Sequence, residues 1–548
     1  MLSEPQWVIL LKPKKSVLLN NIFLCSNSKL AIAAFFAMKK QLSILLFLLF
    51  TAAGSFAQQN NIWCFGDSAG IDFNTSSPTT FTSSIKGRGS CLSVADSTGS
   101  LLFYGQTLYY PLWIQGGNFK LTAVYNKNHQ LMDNGDTLIG QGWYQEITTV
   151  NDPENSNRYY LFTLAVTNAG LTQGFYYSII DMSYNGGLGK VVSKNNMLLT
   201  DFMADCVAAV KHGNGRDWWV ITRKSNVLVT GVPVTDYYVY LISPTGINGP
   251  YIKTVGQPTN YNASKIIFSK NGEKMIYFHP NGLFEYYSFD RCTGDLSLTQ
   301  TIFSENTYFT NFIGGAFSPD ETKFYMQTLA NPDTNYLLQF NLNAANIAAS
   351  ADTLFTQTFP KQIGGDVRLA PDGKIYVSKY YFDGFNFFFP YPDTTYNMYN
   401  TYLSVVNYPD SMGADCDFQP YSFYLGGNRT YYGLPNNPNY GLGALAGSAC
   451  DTLTGIVPTP SLPTKEGELN LYFDAGWQKL FVNGHHIKGS SCLLQVFDVN
   501  GKLVYDSQNK TTPPFYTLDV NCRSFSNGIY FVTFQTDKEK LQGRFVKY

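Results

Sequence analysis

The residue pattern most able to do chemistry comes early in the chain. Gly66-Asp67-Ser68-Ala69-Gly70 fits G-x-S-x-G, the elbow that lifts a nucleophilic serine out of an α/β-hydrolase sheet. That elbow needs a strand before the serine, a helix after it and a parallel sheet around it. Here IDFNTSSPTTFTSS follows, rich in β-branched residues and without helical periodicity, so the motif is expected to be a strand turn. Histidine is scarce. His129 and His212 fall in turn-like segments, His279 precedes Pro280-Asn281-Gly282, and His485-His486 lie near the C-terminus. None has H-E-x-x-H or similar ligand spacing and no cysteines are spaced C-x-x-C, so no metal and no cofactor are expected, and the histidines read as solvated turn residues. The stretch YYFDGFNFFFPYP (380–392) is different, because strict alternation fails across Phe387-Phe388-Phe389 and one sheet face cannot absorb it. Tyr380, Tyr381, Phe385, Phe387 and Tyr391 are therefore candidate ligand contacts, since exposed rings stack on sugars or anchor a protein partner. The competing expectation is a loop folded back over its neighbours.

The elements that would position such residues show as a repeat. FSKNGEKMIYF (268–278), FSPDETKFYM (317–326) and LAPDGKIYVS (369–378) share one plan: an apolar strand end, a small residue, a polar turn and a second strand. Looser relatives are VADSTGSLLFY (94–104), VNDPENSNRYYLFT (150–163), VKHGNGRDWWVI (210–221) and FYLGGNRTYYG (423–433). Turn centres near 98, 155, 215, 271, 320, 372 and 428 are 57, 60, 56, 49, 52 and 56 residues apart. Seven units at a steady interval predict an all-β, seven-bladed β-propeller over residues 58–448, whose blades bury their faces against one another. The opening strand, NNIWCFGDSAGIDFN, is expected to close the ring by pairing with the final repeat. In this frame Asp372 of Pro371-Asp372-Gly373 is a turn residue rather than an acid or a metal ligand.

Composition agrees. Aromatic residues make up 16 % of the 548, charged residues only 14 %, with 47 Gly and 25 Pro, as expected of an all-β chain. Residues 1–57 hold six Lys and one acid, leaving 32 basic against 38 acidic side chains beyond them, a net of −6 that argues against a nucleic-acid partner. Met38-Lys39-Lys40, then QLSILLFLLFTAAG and Ser55-Phe56-Ala57, reads as a secretory signal at 38–57, cut between Ala57 and Gln58. Its apolar run is too short to span a bilayer, so no transmembrane anchor is expected in the mature chain. Residues 1–37 are expected to be upstream sequence read from a wrong start. Eight cysteines lie beyond Cys25, and Cys492–Cys522 is the one disulfide proposed, both falling in one small C-terminal domain.

NNIWCFGDSAGIDFNT, LSVADSTGSLLFY, YNKNHQLMDNG, YYSIIDMSYNGGLGKV and AAVKHGNGRDWWVI together resemble a propeller family of exported Bacteroidetes proteins, and FSPDETKFY and LAPDGKIYVS resemble the WD40-like turns of TolB-type propellers. After a Pro-rich linker at 449–465, residues 466–548 alternate apolar and polar residues in short strands, predicting an Ig-like β-sandwich with a hairpin turn at Asn500-Gly501. This segment resembles the type A sorting domain of the type IX secretion system, on Asp498, Gly501, Lys502, Leu518, Gly528, Tyr530, Phe545, Val546 and Lys547. The resemblance implies export by that machinery to the cell surface or medium. The expected function is a binding or adhesion propeller whose ligand is glycan or protein. The alternative is a propeller hydrolase or lyase acting on polysaccharide. The S-x-D-x-G-x-T-W boxes of propeller sialidases are not matched, and glycoside chemistry would need a positioned carboxylate pair.

Overall fold

The computed structural model describes residues 58–107, 122–140, 144–165, 174–226, 230–305, 311–330, 334–358, 362–381, 394–451, 468–485, 491–510, 515–538 and 540–548. The chain divides into two compact units, residues 1–454 and 455–548.

In the first unit the strands form seven antiparallel sheets in chain order, each a simple up-and-down meander. Their first strands are Ile62–Phe65, Cys91–Ala95, Ile147–Asn151, Met203–Lys211, Lys265–Phe268, Phe312–Phe317 and Gln362–Leu369. Each of these lies beside the first strand of the next sheet. The first strands therefore form the inner ring of a seven-bladed propeller, and each blade grows outward from one of them. Among the described residues, blades 1 and 2 have three strands each and blades 3 to 7 have four.

The recurring turns at 98, 155, 215, 271, 320 and 372 join the first and second strands of blades 2 to 7. The same bond shapes all six. The side-chain oxygen of Asp96, Asp152, Asn214, Asn271, Asp320 or Asp372 accepts from the backbone N–H two residues on, at 2.8–3.1 Å. The seventh expected turn, at 428, is not a blade turn. It lies after the last strand of blade 7, Phe418–Tyr424, and the corresponding turn of blade 1 is Gly66, at φ +63°. The G-x-S-x-G motif thus has only Gly66 in the hairpin turn. Its other four residues lie in the strand Asp67–Asp72, and a second strand, Thr79–Lys86, follows where an elbow would need a helix.

Ring closure follows the expectation in part. The strand Ile62–Phe65 pairs with Asp67–Asp72 of its own blade, while the opening stretch meets the final repeat in a short bridge, where Asp67 and Arg429 exchange backbone N–H···O bonds at 2.8 and 3.2 Å. Blade 1 also meets blade 7 through side chains: Trp63 and Phe73 pack edge-on against Tyr376, at 5.8 and 5.6 Å between ring centres, in one core with Leu403 and Leu425. Asp67 forms a buried ion pair with Arg429, with Nε at 2.9 Å from Oδ2, and its N–H donates to the Arg429 carbonyl. Closure thus combines packing, an ion pair and a short backbone bridge, while the strands of blade 1 pair among themselves. Between blades 6 and 7, a Cβ on Gly314 would stand 2.4 Å from the Gly365 carbonyl oxygen, so the repeated Ile-Gly-Gly of these two inner strands permits their close approach.

The second unit is a two-sheet sandwich. Glu468–Asp474, Lys479–His485 and Phe515–Asn521 form one sheet; Leu503–Lys510, Ser491–Asp498, Gly528–Thr536 and Lys540–Lys547 form the other. Leu480, Val482, Leu494, Val496, Val520, Val532 and Phe534 fill the space between them. Cys492 and Cys522 both border this core but are not joined, a correction to the proposed pairing. Cys522 Sγ instead donates to the Val520 carbonyl, and the disulfide found among the described residues links Cys292 to Cys450.

Candidate functional site

The hub of the ring is occupied by the chain itself. After blade 7, residues 431–445 run back across the inner strands. Asn436 sits at the centre, 5 % exposed, with every polar atom engaged. Its Nδ2 donates to the carbonyls of Ile147 and Val207, its Oδ1 accepts from Gln145 Nε2 and Arg368 Nη2, and its N–H donates to the Cys91 carbonyl, all at 2.7–3.0 Å. Gln145 also grips both the N–H and the C=O of Ile266. One asparagine and one glutamine thus tie together blades 2, 3, 4, 5 and 7. The segment continues outward, where the Arg291 guanidinium donates to the Gly443 carbonyl, and Cys450 bonds to Cys292 in the turn between the last two strands of blade 5.

On one side of this knot lies a cavity of about 560 Å³, a size common for small-molecule sites. The repeat turns surround it through Ser269, Pro319 and Pro371; Trp63, Phe268 and Phe317 supply apolar wall, and Arg368 and Asn436 lie at its inner end. Its charged lining residues are Lys270 and Arg368, and the lining includes no carboxylate.

On the other side, at the starts of the inner strands, acids do converge. Asp366 bonds Lys265 at 2.8 Å and Arg368 at 3.1 Å. Burial alone would raise the Asp366 pKa, but the two cations outweigh it and hold the carboxyl below its usual range. Burial lowers Lys265 in turn. Glu146 and Asp205, from neighbouring blades, are both buried and hydrogen-bond to each other; burial first, and then Glu146, pushes Asp205 well above a normal carboxylate. Glycosidases hold their two carboxyls at least ~5 Å apart to flank a sugar bond. A directly bonded pair does not have that geometry.

The aromatic candidates separate. Tyr380 is wholly buried and stacks on Tyr432 and Tyr431 at 5.3 and 5.8 Å, so it is a packing residue and offers no face to a ligand. Tyr381 is half-buried and stacks on Tyr399 at 6.1 Å. Phe385, Phe387 and Tyr391 lie outside the described residues, as does Ala57, while Gln58 opens a short 3-10 turn. Beside this stretch on blade 7, Tyr396, Met398 and Tyr424 are half or more exposed, an apolar rim that the sequence pattern did not single out. Among the histidines whose side chains are described, His129 and His212 do lie half-buried in or beside turns, whereas His279 is not solvated. His279 is buried, its Nε2 2.9 Å from Glu305 and its Nδ1 accepting from the Asn281 N–H; His129 bonds Tyr104, and His212 meets the Cys292 carbonyl.

In the second unit the predicted motif residues are mainly structural. Asp498 Oδ1 accepts from the N–H groups of Asn500 and Lys502, and Gly501 takes φ +77° in that turn. Phe545 stacks between Tyr530 and Phe473, the Tyr530 hydroxyl donates to the Ser526 carbonyl, and Leu518 borders the core. Lys547 is buried and its ammonium donates to the carbonyls of Cys522 and Phe525 at 2.8 and 2.7 Å. Gly528 opens the strand beside them. Lys502 and Val546 point to solvent.

Residues 478–548 match the family model described as a secretion system C-terminal sorting domain. This segment is a sorting domain of the type IX secretion system, following a propeller. No curated protein matches the chain. Among solved structures it is similar to a Bacteroides fragilis protein provisionally assigned as a 6-phosphogluconolactonase (12 % identity, TM-score 0.41, covering 69 % of this chain and 98 % of that one). It is also similar to the β-propeller domain of Cps50 from Myceliophteria thermophila (10 %, 0.35, 59 % and 90 %) and to TolB from Acinetobacter baumannii (11 %, 0.30, 69 % and 81 %). At these values the likenesses carry no argument about activity, and the blade count rests on the seven sheets.

Proposed function

We propose that the chain is a binding protein of the cell surface or surrounding medium, carried there by its C-terminal domain, with a propeller that takes glycan or protein as ligand. The observation that carries this is the pairing of a sorting domain with a ring whose hub holds an open cavity walled by aromatic and amide side chains. The rim of Tyr396, Met398 and Tyr424 adds an exposed apolar surface of the kind that meets sugars and proteins. Processing between Ala57 and Gln58, and a propeller spanning 58–448 joined by a linker at 449–465, belong to the same reading. Deleting 466–548 in the native host is expected to strand the propeller in the periplasm, read by fractionation. Unchanged surface delivery would refute the route. A glycan array probed with the exported protein tests the ligand class, and product analysis on polysaccharides tests the hydrolase or lyase alternative.

A further inference from the structure

We propose that the hub cavity binds a small sugar acid, with the carboxylate taken by Arg368 and Lys270 and the hydroxyls by the strand edges and Asn60. The proposal rests on the reading of the ring as a binding module and names what its cavity takes.

Charge comes first. The lining carries two cations and no carboxylate. Arg368 spends Nε on Asp366 and Nη2 on Asn436 Oδ1, and Asp366, which it shares with Lys265, lies behind it and outside the cavity lining. Lys270 is exposed at the lip. It has no part in the knot through its side chain, because Asn439 bonds its backbone carbonyl. An anion entering here meets a cation at the mouth and another at the floor, in a site where contact with water is reduced and charge interactions strengthen.

Hydrogen bonding narrows the class. Asn60 donates through Nδ2 to the Pro438 carbonyl, while its Oδ1 is a buried acceptor without a hydrogen-bond partner among the described residues. An unmet buried acceptor favours a donor on the ligand. Ile266 turns its N–H and C=O toward the ring axis, where Gln145 holds them. The two-residue period of a strand turns those of Phe268 the same way, at the cavity wall. Acceptors beside cations fit a molecule with hydroxyls as well as a carboxylate. A fully ionised inorganic anion supplies no donor. Trp63 and Phe317 give the apolar wall that the C–H face of a sugar ring prefers.

The test is calorimetric titration of the exported full chain with galacturonate and its α-1,4-linked disaccharide against galactose and the matching neutral disaccharide. The expected result is that the acidic disaccharide binds at least about tenfold tighter than its neutral counterpart, a difference of about 1.4 kcal/mol. Raising the salt concentration should weaken that preference. Lys270→Glu should abolish the preference while leaving the melting temperature unchanged, since only the backbone of Lys270 is used by the fold. Independently of any variant, saturating disaccharide should protect Lys270 from an amine-reactive acylating reagent, read by mass spectrometry. Equal or tighter binding of the neutral sugar, no binding of either, or binding that leaves Lys270 unprotected would each overturn the proposal. Glycans captured on the array by a chain that ignores uronates would sink the cavity assignment and leave the binding reading intact. A chain blank in both assays would lose both.

Discussion

Lys379 shows how a single residue can set the pH response of the ring. Its ammonium is buried without a salt-bridge partner among the described residues, donating to Gln357 Oε1 at 2.8 Å and lying over the rings of Phe355 and Tyr421 at 4.5 and 5.4 Å. Burial drops its pKa to about 7, against ~10.4 in the unfolded chain. Between those values the unfolded chain holds a proton that the folded one does not, so this residue makes stability rise with pH from about 7 to ~10. Below that window both states are charged, and folding must bury an ammonium. The two rings favour the charged form, which opposes the drop in pKa and narrows the window over which the slope approaches ~1.4 kcal/mol per pH unit. Lys379→Met is therefore expected to raise the melting temperature at pH 6 by several degrees and to lose that advantage by pH 10. Parallel pH profiles for the two proteins would contradict this assignment. The neighbouring Tyr380 teaches the complementary lesson: in an aromatic run, adjacent side chains alternate between blade faces, and this one is consumed by packing on Tyr431 and Tyr432.

At the scale of elements, the blade hairpins were readable and the segment that fills the hub was not. Six hairpins announce themselves because each depends on a local bond, an Asp or Asn oxygen to an amide two residues on, and local bonds leave local signatures. FYLGGNRTYYG copies that signature with two glycines at positive φ, yet it starts the segment that plugs the hub. The plug itself reads as an ordinary loop, LPNNPNYGLG, because its meaning lies in partners such as Ile147 and Val207, hundreds of residues upstream. The same holds for the cavity, whose lining is drawn from several inner strands at once, and for the Cys292–Cys450 bond, which spans 158 residues. That bond fixes the outer end of the plug. Cys450→Ser should cost about 3 kcal/mol, the usual range for a long closed loop, and should speed amide exchange at Leu445, whose N–H donates to the Gly213 carbonyl. Unchanged exchange there, with a lowered melting temperature, would mean that the disulfide stabilises blade 5 rather than the plug.

For the whole molecule, the distribution of apolar cores decides how it comes apart. The seven blades share cores that cross blade boundaries, as when residues of blades 2, 3 and 4 fall in one cluster with Tyr440 of the plug. They should unfold together. The core of the sandwich draws only on residues of the second unit, so the C-terminal unit is expected to melt as a separate transition. Lys547 offers a clean probe. Its ammonium is buried against two carbonyls, those of Cys522 and Phe525, which tie the last strand to the turn after Phe515–Asn521. Charge-assisted bonds of this kind contribute ~1.5–3 kcal/mol each, and their loss leaves buried acceptors unmet. Lys547→Ala should therefore lower the transition of residues 466–548 by roughly 10 °C or more, given the small entropy of unfolding of so short a domain, while the propeller transition stays where it was. Scanning calorimetry of the full chain, with isolated 466–548 as the reference for its own peak, reads both at once. A propeller transition that moved with the variant would show that the two units stabilise each other, and the sorting domain would then be a structural partner of the ring as well as its address.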